Sequence, residues 1–319
     1  MYPIEYLHEF FLEKLKRAEL HGSPRELYDP VRYILDLGGK RLRPIMVLMS
    51  ANLYSENIEQ ASDAALAIEV FHNFTLMHDD IMDKAPLRRG KQTVHTKYND
   101  STALLAGDVM LVRAYEYLNK ISSAYLSKVL ALFNRTAIEV CEGQQMDMDY
   151  ESQNNVNMND YLRMIELKTS VALAASLKVG GLLGGGGERN QNLLYEFGKK
   201  LGIAFQVQDD YLDAFGEKNK TGKQVGGDIL ANKKTFLLIH AMESASHKKE
   251  LEQLIRTNPT DKVEKVVAVY KDCKADEWAR QLKNKYFDEA LNHLEDIAVL
   301  SKRKEPLREL ALFLVQRDF

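Results

Sequence analysis

Apolar residues recur at helical spacing along nearly the whole chain, and strand-like alternation is almost missing. Residues 43–53, 58–84, 97–118, 122–147, 159–183 and 189–215 each carry Ala, Leu, Met or Ile on at least one helical face. No segment alternates with period two between turn signals, so no sheet is expected. Three of the seven prolines, Pro3, Pro24 and Pro30, fall in the first thirty residues, which leaves long stretches free of helix breakers. The pattern predicts an all-α fold, a large helical bundle. Gly184 to Gly187 should end one helix before Glu188 opens the next. Residues 151–159, rich in Asn and Gln, read as a loop, and residues 216–227, with Lys and Gly, as a mobile one. The tail beyond Asp228 is more charged and reads as shorter helices packed outside the central ones. No solenoid repeat is visible, and residues 1–319 read as a single domain.

Several function classes drop out. A net charge of −3 over 319 residues gives no bulk argument for nucleic acid or an anionic membrane. No run of eighteen apolar residues occurs, so no membrane span is expected. The first twenty residues are amphipathic and carry acids, unlike a signal or transit peptide. Cys141 and Cys273 lack metal-ligand spacing, and a disulfide framework is not expected, which fits a reducing cytoplasm.

Two copies of one acidic signature stand out: Asp79-Asp80-Ile81-Met82-Asp83 and Asp209-Asp210-Tyr211-Leu212-Asp213. Each follows an apolar helical stretch. In a helix the first and last aspartates of each motif share one face. Carboxylates gathered in that setting need cations. Hard oxygen ligands favour magnesium, which keeps waters and shares phosphate oxygens. A substrate carrying a diphosphate follows.

Basic motifs complement the acids. Gly38-Gly39-Lys40-Arg41-Leu42-Arg43-Pro44 places three cations ahead of a helix that Pro44 can open at its first position. Arg88-Arg89-Gly90 follows the first acidic motif closely. Its arginines suit either salt bridges to those aspartates or bidentate phosphate recognition. Lys168-Thr169 lies where a helix turns apolar, with Gln144 and Asp147 nearby in GQQMD. Gln206 precedes Asp209 by three residues, on the same face. Lys223 sits on a glycine-flanked loop, followed by Asn232-Lys233-Lys234-Thr235.

In this order and spacing the motifs resemble the trans-isoprenyl diphosphate synthase family, the head-to-tail prenyltransferases, from about Tyr33 to the C-terminus. One departure is Asn232-Lys233 where many members carry Gly-Lys. The resemblance implies a helical bundle with a central active-site cavity, a homodimer, and condensation of isopentenyl diphosphate with dimethylallyl, geranyl or farnesyl diphosphate. It implies three Mg2+ ions: Asp79 and Asp83 as ligands of two, and Asp209 of the third, with Asp210 and Asp213 in support and Asp80 beside them. Arg88, Lys168, Lys223 and Lys233 are implied contacts to the allylic diphosphate. Lys40, Arg43, His72 and Arg89 are implied for isopentenyl diphosphate. Thr169 and Gln206, with the carbonyl of Lys168, are implied to face the developing allylic cation. A class I terpene cyclase would not need GGKRLRP, and a non-catalytic regulatory subunit would not be expected to keep both acidic motifs. Phe74, five residues before Asp79, resembles the floor of short-chain members. It predicts a product of fifteen to twenty carbons, geranylgeranyl diphosphate favoured over farnesyl.

Overall fold

The computed structural model describes residues 1–153, 155–216, 226–244 and 246–316. Helices follow the apolar pattern: α1 (Ile4–Arg17), α2 (Arg25–Asp36), α3 (Leu42–Asn52), α4 (Ser62–Met82), the short α5 (Val94–Lys97), α6 (Asp100–Leu118), α7 (Ser123–Ser152), α8 (Met158–Ile165), α9 (Val171–Leu183) and α10 (Glu188–Phe215). After the segment 217–225 come α11 (Gly227–Leu230), α12 (Phe236–Glu243), α13 (Lys248–Thr257), α14 (Lys262–Asp272), α15 (Ala275–Glu295) and α16 (Ser301–Val315). No described helix is long and apolar enough to cross a membrane.

The chain divides into two compact units. One comprises Met1–Arg135, Ala175–Tyr195 and Ile297–Leu307. Its central helix is α4, buried continuously from Ala64 to Phe71 and packed against α6, α3 and α1. A helix that is apolar all round belongs in a core, and this one carries the first acidic motif at its end. The glycine-rich stretch has a packing reason here. A Cβ on Gly180 would lie 2.1 Å from the carbonyl oxygen of Val47, and one on Gly184 2.5 Å from that of Ala51, so both positions let backbone meet α3. Gly185, at φ +90°, takes the left-handed turn that stops α9 before Glu188, as the sequence predicts.

The other unit comprises Thr136–Ala174, Glu196–Asp296 and Arg308–Phe319. Its core is built from Tyr161 on α8, Val207 on α10, Phe236 on α12, Leu251 on α13 and Tyr270 on α14. Phe236 joins Tyr161 and Trp278, with ring centroids 5.9 and 5.7 Å apart. The tail is therefore no outer layer: its helices supply the core of this unit, and α15 runs 21 residues.

Several local expectations change. The helix expected over 97–118 breaks at Asn99, whose extended backbone and side chain, accepting from the Thr102 amide at 2.8 Å, cap α6. The helix expected over 159–183 contains a π turn, Glu166–Ser170. Residues 151 and 152 stay helical. A two-residue antiparallel pair, Leu87–Arg88 with Lys91–Gln92, appears where no strand is expected, because Arg89 and Gly90 at φ +54° and +74° form a tight reversal. Pro44 is the third residue of α3 and not its first, since Leu42 opens it.

Candidate active site

In the first unit, Asp79 and Asp80 lie in the last turn of α4 and Asp83 caps it, its amide bonding the Asp79 carbonyl at 2.8 Å. This is the carbonyl end of the helix dipole, where anions are disfavoured. Three carboxylates held there against the dipole call for a cation. Asp79 is half-buried, Asp83 exposed and Asp80 buried. The β-reversal delivers Arg88, whose Nε donates to Asp80 at 2.8 Å; its Nη2 lies 2.8 Å from Asp80 and 3.7 Å from Asp79. Arg88 thus forms the salt bridges left open by the sequence and fixes Asp80 beside the two same-face aspartates. Burial still pushes the Asp80 carboxyl above its usual range, against the pull of Arg88.

The GGKRLRP segment builds a cationic cluster in the same unit. Arg43 Nη1 stands 3.0 Å from His72 Nε2. Burial, with the charges of Arg43, Arg89, Arg88 and Arg41, holds the His72 imidazole well below its ordinary value. His72 is therefore neutral and accepts from Arg43. Burial lowers the Arg43 guanidinium to about 10. Arg89 Nη1 donates to the Gly38 carbonyl, and a Cβ on Gly39, which sits at φ +125°, would lie 2.6 Å from the Arg89 guanidinium and push it from its present place. Lys40 is exposed on that loop. The motif marks Arg41 only as one of three cations. It is buried, pairs with Glu69 and donates to the Leu35 carbonyl, while Asn73 donates to Glu69 at 2.8 Å. The available signal was a lone Glu inside an apolar helix.

Below the aspartates, one aromatic stack crosses three helices. Phe74 lies 4.7 Å from His78 and 5.8 Å from Phe71, centroid to centroid. Phe71 meets Phe133 edge-on at 5.0 Å, and Phe133 meets Tyr115 at 5.2 Å.

The second unit holds the other motif. Asp210 is buried and accepts from the Tyr161 hydroxyl at 2.6 Å and from Gln206 Nε2 at 2.8 Å. Thr169 Oγ1 donates to Gln206 Oε1 at 3.2 Å, so Thr169, Gln206 and Asp210 form one chain. Burial, with Asp228 and Asp209 adding negative charge, pushes the Asp210 carboxyl up to about 8. Asp209 and Asp213 are half-buried, and Asp213 Oδ2 accepts from the Asp228 amide at 3.0 Å. Lys168 Nζ donates to Asp147 at 2.6 Å. Lys168 and Thr169 sit in the π turn, which two glycines allow to be approached closely. A Cβ on Gly143 would lie 2.3 Å from the Lys168 amide nitrogen, and one on Gly202 2.6 Å from the Ser170 Cα. Lys233 is half-buried, its amide bonding the Asp228 carbonyl at 2.9 Å. Lys223, and most of the loop read over 216–227, lie outside the described residues.

Among the described residues no three His, Cys, Asp or Glu side chains form a metal cage by themselves. The acidic motifs offer oxygen ligands a few at a time. That suits magnesium completed by water and phosphate oxygens, and not a site closed by protein alone.

Comparison with known proteins is consistent across sequence and structure. Residues 24–273 match the family model described as polyprenyl synthetase. The geranylgeranyl diphosphate synthase of Methanosarcina mazei is 36% identical over 93% of this chain and 91% of that protein. The geranylgeranyl pyrophosphate synthase of Geoglobus acetivorans is 38% identical over 96% of this chain and 95% of that protein. A crystal structure of a geranylgeranyl pyrophosphate synthase superposes with a TM-score of 0.96 at 42% identity, covering all of both chains.

Proposed function

Because this chain belongs to the polyprenyl synthetase family and is a trans-prenyltransferase, we propose that it makes a fifteen- to twenty-carbon product, with geranylgeranyl diphosphate favoured. Its substrates are isopentenyl diphosphate and the allylic dimethylallyl, geranyl and farnesyl diphosphates. The observation that carries the reading is a cationic cluster of Arg43, His72 and Arg89 in addition to the two acidic motifs. A reaction that joins two diphosphates needs a second anion site, whereas a cyclase or a subunit without catalysis does not.

Catalysis in this family depends on magnesium. We assign three ions, with Asp79 and Asp83 as ligands of two and Asp209 of the third. When bound, they supply positive charge to the leaving diphosphate. The chain's own residues do the rest. Arg88, Lys168, Lys223 and Lys233 hold the allylic diphosphate and favour its departure. Asp80 holds Arg88 in place. Asp210 orients Gln206, and Asp213 orients the Asp228 segment. The Lys168 carbonyl, the Thr169 hydroxyl and Gln206 turn dipoles toward the allylic cation without attacking it. Lys40, Arg43, His72 and Arg89 hold isopentenyl diphosphate while its double bond adds. The proton then lost passes to the departing diphosphate.

The family match takes in parts of both compact units, which supports reading residues 1–319 as a single catalytic domain. Exposed Leu104, Leu105 and Val112 on α6 and Ile138 on α7 support a homodimer. Two free cysteines support a cytoplasmic location. The test is incubation of the purified chain with labelled isopentenyl and dimethylallyl diphosphates plus magnesium. Linear diphosphates of fifteen to twenty carbons support the proposal. Cyclised hydrocarbon, or no turnover, overturns it.

A further inference from the structure

The sequence departs from its family's common Gly-Lys at Asn232-Lys233, and the structure supplies a use for the asparagine. Helix α11 ends in a Schellman motif. The Lys233 amide bonds the Asp228 carbonyl at 2.9 Å and the Asn232 amide bonds the Ile229 carbonyl at 3.2 Å. Asn232, at φ +58°, fills the left-handed position that usually takes glycine. Glycine would be the less strained choice there. The asparagine adds an acceptor: its Oδ1 takes a hydrogen bond from Lys262 Nζ at 2.5 Å.

Lys262 is an unusual residue for its place. It is 1% exposed and opens α14, where the helix dipole disfavours a cation. Its other acceptor is Asn258 Oδ1 at 3.2 Å, and among the described residues it forms no ion pair. Burial lowers its ammonium below the ordinary lysine value. A buried cation persists only where it is hydrogen-bonded, and the two asparagine oxygens meet that need. The next residue, Val263, packs against the other end of the same segment: a Cβ on Gly226 would lie 2.5 Å from Val263 Cγ1. The first turn of α14 therefore grips the Gly226-to-Asn232 segment at both ends. That segment is tied to the second acidic motif as well, since the Gly226 amide bonds the Asp213 carbonyl at 2.6 Å.

We propose that Lys262 is a positioning residue: by clamping Asn232 it fixes the turn that presents Lys233, and so sets affinity for the allylic diphosphate without touching it. This rests on the reading that Lys233 contacts that diphosphate. The test is steady-state kinetics of the full chain with geranyl and isopentenyl diphosphates, on Lys262→Met, Asn232→Gly, their double variant and Lys233→Ala. Lys262→Met is expected to raise KM for geranyl diphosphate about fivefold, on the scale of one charge-assisted hydrogen bond partly transmitted. KM for isopentenyl diphosphate and kcat should stay within about twofold. Asn232→Gly, which suits a positive φ and so keeps the fold, should show the same split. The double variant should be no worse than the larger single, because both cut one contact. Equal rises in both KM values, multiplied effects in the double, or an unchanged KM in Asn232→Gly would each overturn the inference. If Lys233→Ala raises KM for geranyl diphosphate while the clamp variants do not, only the clamp fails. If Lys233→Ala itself leaves that KM unchanged, the Lys233 assignment fails and the clamp with it.

Discussion

Phe74→Ala should lengthen the product by one five-carbon unit, from twenty carbons to twenty-five. The growing tail is expected to run from the diphosphate at Asp79 back along α4, and Phe74, stacked on His78, is the first phenylalanine on that path. An isoprene unit, four carbons in line, is about as long as one helical turn, ~5.4 Å. The Phe71 ring is centred 5.8 Å beyond that of Phe74 and is backed by Phe133 at 5.0 Å. Removing the first ring therefore opens space for one unit before a second, braced floor. Phe74 is only partly buried, so its loss should cost at or below the ~3–5 kcal/mol of a fully buried Phe→Ala change, and the fold should survive. The assay is chromatography of dephosphorylated products from labelled isopentenyl diphosphate with an allylic primer. Unchanged length would show that Phe74 is core packing and not the floor. A jump to thirty carbons or more would show that Phe71 and Phe133 do not form a second stop.

Asp79→Ala, Asp83→Ala and Asp209→Ala should each lower turnover more than ~100-fold with the helical circular dichroism unchanged; near-normal rates at saturating magnesium would refute the metal-ligand assignment. Arg43→Ala should raise KM for isopentenyl diphosphate more than that for geranyl diphosphate, and an equal or reversed effect would contradict the cluster's role. His72 should make stability depend on pH in one direction. Its folded-state value is depressed, so below about 6.5 the unfolded chain takes a proton that the folded chain refuses, and stability falls with pH. Denaturation midpoints measured between pH 7.5 and 5 should show that fall, and His72→Gln should flatten it.

Helix periodicity located most elements within a few residues because apolar side chains carry the packing. It could not locate the π turn, since Glu166 to Ser170 obey the same pattern as an α-helix; what holds them is the close approach allowed by Gly143 and Gly202. The break at Asn99 was a matter of one cap. The acidic motifs were readable because chemistry concentrates there in sequence. Arg41 and Glu69 were not, since their pairing joins residues twenty-eight positions apart. Lys262 was hidden for the same reason: its acceptors lie in two separate turns, and a lysine opening a charged helix looks like solvated surface.

The π turn has a consequence for comparing or redesigning this chain. A wide turn carries one more residue than an α-helical one, so α9 is rotated about 100° relative to a helix continued straight from α8. Lys168 and Thr169 sit inside that extra winding. Deleting a single residue between Glu166 and Ser170 would let the hydrogen bonds return to ordinary spacing and would keep the stretch helical. The side chains from Val171 onward would keep nearly their present bearings, because the wide turn only absorbs the extra residue. Grafting a helix from a relative onto this one therefore needs its phase matched across the turn, because equal length alone would aim the transplanted residues wrongly.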